Sequence, residues 1–190
     1  MIFASRNAHK VAEVEQILGI GLELLPDEVE SPDEDADTFA GNALIKARSA
    51  REATGKAVIA DDSGIEVDAL GGRPGVRSAR FAGEDATDGE NLAKVLDELA
   101  ATGGDPAARY VCVIAYIDDS GDEHLFEGTC EGRLTQHIRG EGGFGYDPAF
   151  IPDETGPDDE RTMAEVSPEE KHRISHRGKA VRDLARFLDI

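Results

Sequence analysis

The sequence predicts a mixed α/β fold on three observations. Short apolar β-type runs alternate with helix-period stretches from the start of the chain, the longest such run is followed at once by a turn and a return strand, and the last residues are helical. A sheet holding such a hairpin is not purely parallel. Ile2-Phe3-Ala4 reads as a strand, Ser5-Arg6-Asn7 as a polar loop, and Val11, Val14, Ile17 and Leu18 recur at helical spacing. Leu22 to Leu25 is a second strand. The acidic stretch that follows ends at Asp37, an N-cap for a helix over Thr38 to about Thr54 that stops at Gly55. Ala57 to Ala60 is a buried strand with Asp61-Asp62-Ser63-Gly64 at its end. Ile65 and Val67 continue extended, and Gly71-Gly72-Arg73-Pro74-Gly75 is a turn cluster. Thr87 or Asp88 caps a helix with Leu92, Val95, Leu96 and Leu99 on one face. Tyr110 to Ile117 is the longest apolar run, closed by Asp118-Asp119-Ser120-Gly121, and His124 to Cys130 with Leu134 supplies return strands. After the glycine-rich stretch Gly140 to Pro148 comes a short run, Ala149 to Ile151. Ser167-Pro168-Glu169-Glu170 then opens a final helix striped by Val181, Leu184, Ala185 and Leu188.

With 190 residues, 39% hydrophobic and 32% charged, the chain can bury one core, and residues 1–190 are expected to form a single domain. Twenty Lys and Arg face forty Asp and Glu, a formal charge of -20, which argues against nucleic acid or an anionic membrane as partner. No apolar run reaches the roughly 18 residues of a membrane span. Met1 leads into an apolar stretch without a basic leader, so a cytoplasmic protein is expected. Cys112 and Cys130 lack CxxC spacing and read as packing residues. The acidity is spread along the whole chain and fits a salt-loaded cytoplasm, where ions screen self-repulsion over about 3 Å at 1 M. Asp33, Asp35 and Asp37 match the start of an EF-hand loop, but Thr38 and Leu44 stand where that loop needs Gly and Glu, which excludes calcium there.

Four polar clusters fall where strands give way to loops or helices begin, the places where α/β proteins gather functional groups. Ser5-Arg6-Asn7-Ala8-His9-Lys10 offers backbone N–H groups and a positive helix end to an anion, although no GxxxxGK[ST] motif occurs. Asp61-Asp62-Ser63-Gly64 pairs two carboxylates that need a positive partner, such as Mg²⁺ beside phosphates, or that accept a proton from water. The alternative is a turn in which Asp caps backbone N–H groups. Phe144-Gly145-Tyr146-Asp147 couples aromatic rings and a carboxylate on a pliant loop, which suits a nucleobase, or else forms a turn with core aromatics. Lys171 and Ser175-His176-Arg177-Gly178 cluster donors at the start of the last helix. His172 and His176 have the i, i+4 spacing of a zinc pair but lack the accompanying Glu and a third ligand.

Taken in order, the motifs Ser5-x-Asn7-x-x-Lys10, Asp61-Asp62-Ser63-Gly64, Gly71-Gly72-x-Pro74-Gly75, Phe144-Gly145-Tyr146-Asp147-Pro148, Ala164-Glu165, Glu170-Lys171 and Ser175-His176-Arg177-Gly178-Lys179-Ala180 closely resemble the inosine triphosphate pyrophosphatases, or XTP/dITP diphosphatases. The resemblance spans nearly the whole chain. It implies an elongated two-lobed α/β subunit around a mixed sheet, with substrate in the cleft between lobes. It also implies a homodimer, a Mg²⁺ requirement, and hydrolysis of ITP, dITP and XTP to the monophosphate and pyrophosphate, cleansing the nucleotide pool. Ser5 to Lys10 would hold phosphates, Asp62 would bind Mg²⁺ and accept a proton, and Ser63 would contact substrate. Phe144, Gly145, Tyr146, Asp147, Lys171, His176 and Arg177 would line base and sugar. Glu28 falls at a second metal-binding carboxylate, with Glu30 as the competing choice. One departure is Gly41, which stands before Asn42 where many bacterial members carry Glu. Competing readings are a hydrolase of other modified nucleotides and a nucleotide-binding module without activity.

Overall fold

Side-chain caps set the helix boundaries. In the computed structural model, which describes residues 1–190, Asn7 accepts from the backbone N–H of His9 (3.0 Å) and Lys10 (3.3 Å) and starts α1 (Ala8–Leu18), closed by Gly19 in the left-handed conformation. Thr38, one residue beyond the expected Asp37, caps α2 (Phe39–Thr54) by accepting from Gly41 N–H at 3.1 Å. Thr87 and Glu90 form a reciprocal capping box on α3 (Asp88–Thr102). Ser167 caps α4 (Pro168–Ile174), and α5 (His176–Leu188) follows after one extended residue, Ser175. The expected single terminal helix is therefore two. His172 and His176 lie on different helices, and the zinc-like spacing has no helical meaning.

Six strands form one sheet in the order β2-β1-β3-β4-β5-β6, with β1 (Ile2–Phe3), β2 (Glu23–Leu24), β3 (Val58–Val67), β4 (Ala107–Ile117), β5 (Glu123–Leu134) and β6 (Phe150–Pro152). β1 runs parallel to β2 and β3, and β5 runs antiparallel to β6, so the sheet is mixed as the hairpin predicts. The largest correction concerns β3, which continues straight through Asp61-Asp62-Ser63-Gly64 instead of ending there. Cations around the two aspartates, described below, remove the burial cost that argued for a strand end. β5 is likewise one unbroken strand, and β2 is two residues shorter than Leu22 to Leu25. No helix is long and apolar enough to cross a membrane.

The chain divides into two compact units: Met1–Ser63 with Cys112–Gly128 and His176–Ile190, and Gly64–Val111 with Thr129–Ser175. The first has its own core of Phe3, Val14, Ile59, Cys112, Ile114, Val181 and Leu184. The second packs Ile65, Val67, Leu92, Val95, Leu96, Tyr110, Phe150 and Met163. Each fully buried Leu, Ile or Phe contributes roughly 1.5–3 kcal/mol. Both cysteines are buried, as their packing role requires.

Candidate active site

In the first unit, β3 and the helices around it assemble a buried ionic network. Asp61 is 2% exposed and takes an ion pair from Lys10 at 2.9 Å and from Arg177 at 3.1 Å. Arg177, itself 1% exposed, also reaches Glu13 at 2.7 Å and donates to the Ser63 hydroxyl at 2.9 Å. The Arg177 guanidinium, expected to line base and sugar, here joins Asp61, Glu13 and Ser63. Gly128 permits this placement of α5, because a Cβ there would sit 2.2 Å from the His176 carbonyl oxygen. His176 is buried beside it.

Asp62 receives Lys46 Nζ at 3.1 Å on one oxygen and Asn42 Nδ2 at 3.2 Å on the other. Lys46 also pairs with Glu34 at 2.9 Å, so one ammonium joins two carboxylates. Burial would raise the Asp61 carboxyl, but Lys10, Arg177 and Lys46 outweigh it and hold it well below the usual range. For Asp62 burial prevails: it raises the carboxyl despite Lys46, with Glu34 adding to the rise and Lys10 opposing it. Lys46 is pulled down by burial yet held above its ordinary value by Asp62, Asp61 and Glu34. The two neighbouring carboxyls are thus driven in opposite directions, Asp61 toward its ionised form and Asp62 toward its protonated one.

The remaining residues of the first polar cluster are mostly structural at this stage. Ser5 accepts from Asn7 N–H at 3.2 Å, and Arg6 donates to the carbonyls of Asp27 (3.3 Å) and Val29 (2.6 Å), pinning the acidic loop. Ala8 and His9 are exposed on the first turn of α1. Glu28 and Glu30 are exposed, and Glu34 is the carboxylate of that loop that reaches the Asp62 network. At Gly41 a Cβ would meet that of Ala36 at 2.6 Å, so the loop lies where a longer side chain would begin.

The second unit carries a different cluster. Asp147, 3% exposed, accepts from Tyr110 Oη (3.0 Å) on one oxygen and from Phe144 N–H (2.9 Å) and Lys171 Nζ (2.8 Å) on the other. Lys171 Nζ lies 4.9 Å from the centroid of the half-buried Phe144 ring, a cation–π distance. Gly145 N–H donates to Asp88 at 2.8 Å. Tyr146 is buried and donates its hydroxyl to the Ser78 carbonyl at 2.7 Å, so it serves the core.

Sequence reasoning missed Glu13, Glu34, Asn42 and Lys46. Asn42 and Lys46 carried a signal: spaced i, i+4, they share a face with the buried Ala43, Ala47 and Ala50, where polar groups need partners. Glu13 and Glu34 had none, since each pairs with a residue distant in sequence.

A family model described as the Ham1 family matches residues 1–187. A dITP/XTP pyrophosphatase of Geobacillus kaustophilus is 46% identical over 190 residues, covering 97% of this chain and 91% of the relative. One from Desulforamulus reducens is 44% identical and covers 100% and 95%. Among solved structures, a HAM1 protein from Coxiella burnetii superposes with a TM-score of 0.89 at 39% identity, over 99% of this chain and 97% of that one. The Staphylococcus aureus Ham1 protein gives 0.87 at 38%, with the same coverage. On the strength of a match along nearly its whole length, this chain belongs to the Ham1 family.

Proposed function

We propose that the protein hydrolyses deaminated purine nucleoside triphosphates, ITP, dITP and XTP, to the monophosphate and pyrophosphate. The observation that carries this reading is the buried pair Asp61 and Asp62, adjacent on β3 and driven apart in proton affinity by Lys10, Lys46 and Arg177. It agrees with the names of the relatives, dITP/XTP pyrophosphatases.

In this reading the loop Ser5 to Lys10 and Ser63 contact the phosphates, and Asp62 takes the proton of the attacking water. Phe144 stacks on the purine, with Gly145 giving it room. Lys171 and His176 offer donors to the base and sugar, while Arg177 holds Asp61 and Ser63. A keto oxygen accepts from such a donor, whereas the amino group of adenine would face donor with donor, which disfavours ATP.

The residues present fit Mg²⁺. No group of three or more His, Cys, Asp or Glu is gathered, but Asp62 and Glu34 together are the one or two carboxylates that Mg²⁺ takes alongside water and phosphate oxygens. The shared link to Lys46 favours Glu34 over Glu28 and Glu30 as second ligand. When bound, Mg²⁺ neutralises phosphate charge and lowers the pKa of coordinated water. Lys46 would then hold the two carboxylates in place before the metal arrives. A single functional domain, a homodimer, a cytoplasmic setting and a salt-loaded habitat complete the proposal, the last resting on the net charge of -20.

The test is pyrophosphate release from ITP, with ATP and GTP alongside, in Mg²⁺ at low and at molar salt. Selective turnover is expected, falling by about 10²–10⁴-fold in Asp62→Asn. A folded parent that releases no pyrophosphate at any salt would overturn the enzyme reading and leave a nucleotide-binding module.

A further inference from the structure

Tyr110 is a hydroxyl placed in the longest apolar strand of the chain, and its ring is fixed edge-on to Phe150 at a centroid distance of 4.7 Å in the core of the second unit. The hydroxyl of a tyrosine buried to 6% exposure needs a partner, and it finds Oδ1 of Asp147 at 3.0 Å. The other carboxylate oxygen takes Phe144 N–H at 2.9 Å and Lys171 Nζ at 2.8 Å. Gly143 completes the clamp. At φ +71° it has no Cβ, and one built there would lie 2.1 Å from Asp147 Oδ2. Both oxygens of Asp147 are therefore engaged from within the protein. The sequence suggested a carboxylate suited to a nucleobase, and in the structure it accepts from three protein donors.

We propose that Tyr110 is a positioning residue for substrate recognition: by holding the Asp147 carboxylate in one orientation, it fixes the Lys171 ammonium over the Phe144 ring and so sets the preference for keto purines. This deepens the reading of the preceding subsection and rests on it. Without the tyrosine hydroxyl, Oδ1 of a buried carboxylate loses its donor, and the carboxylate gains freedom to turn about its Cβ–Cγ bond. Lys171 then keeps its charge but loses its fixed direction. The ammonium still attracts any nucleotide, whereas the discrimination between a keto oxygen and an amino group, which depends on where its N–H groups point, declines.

Tyr110→Phe is the informative variant, because it leaves the ring against Phe150 and removes one oxygen. Steady-state kinetics with ITP and ATP, together with thermal unfolding, are the readouts. KM for ITP is expected to rise by about 10-fold with kcat within about 2-fold, and the ITP-over-ATP ratio of kcat/KM to fall by a similar factor, as the loss of one hydrogen bond to a charged group implies. A folded variant with parental KM and parental base preference would overturn the inference while leaving the pyrophosphatase reading intact. A fall in kcat alone, with KM and preference unchanged, would also overturn it, since that is what a merely structural tyrosine would give. Absence of turnover in the parent would overturn the pyrophosphatase reading first and this inference with it. Gly143→Ala, which drives a methyl into Asp147 Oδ2, is expected to lower the base preference in the same direction, and an unchanged preference there counts against the clamp.

Discussion

The first unit surrounds three cations, Lys10, Lys46 and Arg177, with four carboxylates, Glu13, Glu34, Asp61 and Asp62. The second sets one carboxylate, Asp147, against one cation, Lys171, and adds a neutral hydroxyl and an aromatic ring. The first network is a web of linked ion pairs. The second is balanced and offers direction instead of charge. Linked ion pairs are chemistry suited to phosphates, and directed donors beside an aromatic ring are chemistry suited to a neutral base. In a chain of net charge -20 this division matters, because the field of the whole protein repels an anionic substrate and only local cations can hold it.

The contrast is broken most directly at Asp61. Asp61→Ala leaves the buried Arg177 and the part-buried Lys10 without their shared partner, and a stability loss of about 3–5 kcal/mol is expected in urea unfolding, as for other buried ion pairs stripped of one member. A loss below about 1 kcal/mol would mean that the network is dispensable to folding. A smaller effect sharpens the picture at Cys112, whose thiol burial pushes up to about 12, against the pull of Arg177 and Lys10 and with Asp61 and Asp62 adding to the rise. The folded protein keeps this proton where the unfolded chain loses it, so the stabilisation is complete below about pH 9 and declines as pH rises toward 12. The slope is about 1.4 kcal/mol per unit at most. Unfolding free energies at pH 8, 9.5 and 10.5 test it against Cys112→Ser, in which that slope should flatten. The smallest effect is expected at the surface. Arg48 pairs with Glu123 at 2.6 and 2.7 Å through both carboxylate oxygens, yet it is largely exposed. Arg48→Ala should cost only about 0.2–1 kcal/mol, and less in molar salt. Were Arg48→Ala to match Asp61→Ala, burial would not be what distinguishes the ionic network.

The alternation of elements, the hairpin and the mixed sheet were legible because they depend on local periodicity and turn chemistry. The interruption of the last helix at Ser175 was not, since Ser175 and its neighbours have no breaker among them and the bend is a tertiary result. Nor was the continuation of β3 through Asp61 and Asp62. Local propensity says that two aspartates end a strand, and only the arrival of Lys10, Lys46 and Arg177 from three different helices reverses it. The motifs point to the candidate residues, but the sequence does not show which protein groups those residues meet. In the structure Arg177 pairs with Asp61, the Tyr146 hydroxyl donates to a core carbonyl, and Asp147 accepts from three protein donors. Such meetings span up to 164 positions, as between Arg177 and Glu13.

The chain passes from one compact unit to the other four times, after Ser63, Val111, Gly128 and Ser175. Three of these passages lie inside β3, β4 and β5, and the fourth is the single extended residue between α4 and α5. Neither unit is a continuous stretch of sequence, so no truncation isolates one, and no simple recombination event could exchange one for a homologue's without splicing at several places. A change confined to one unit is therefore reached by substitution within the chain more simply than by exchange of a module. The same threading delays folding, because the first core cannot close until segments more than a hundred residues apart, Met1–Ser63 and His176–Ile190, have met.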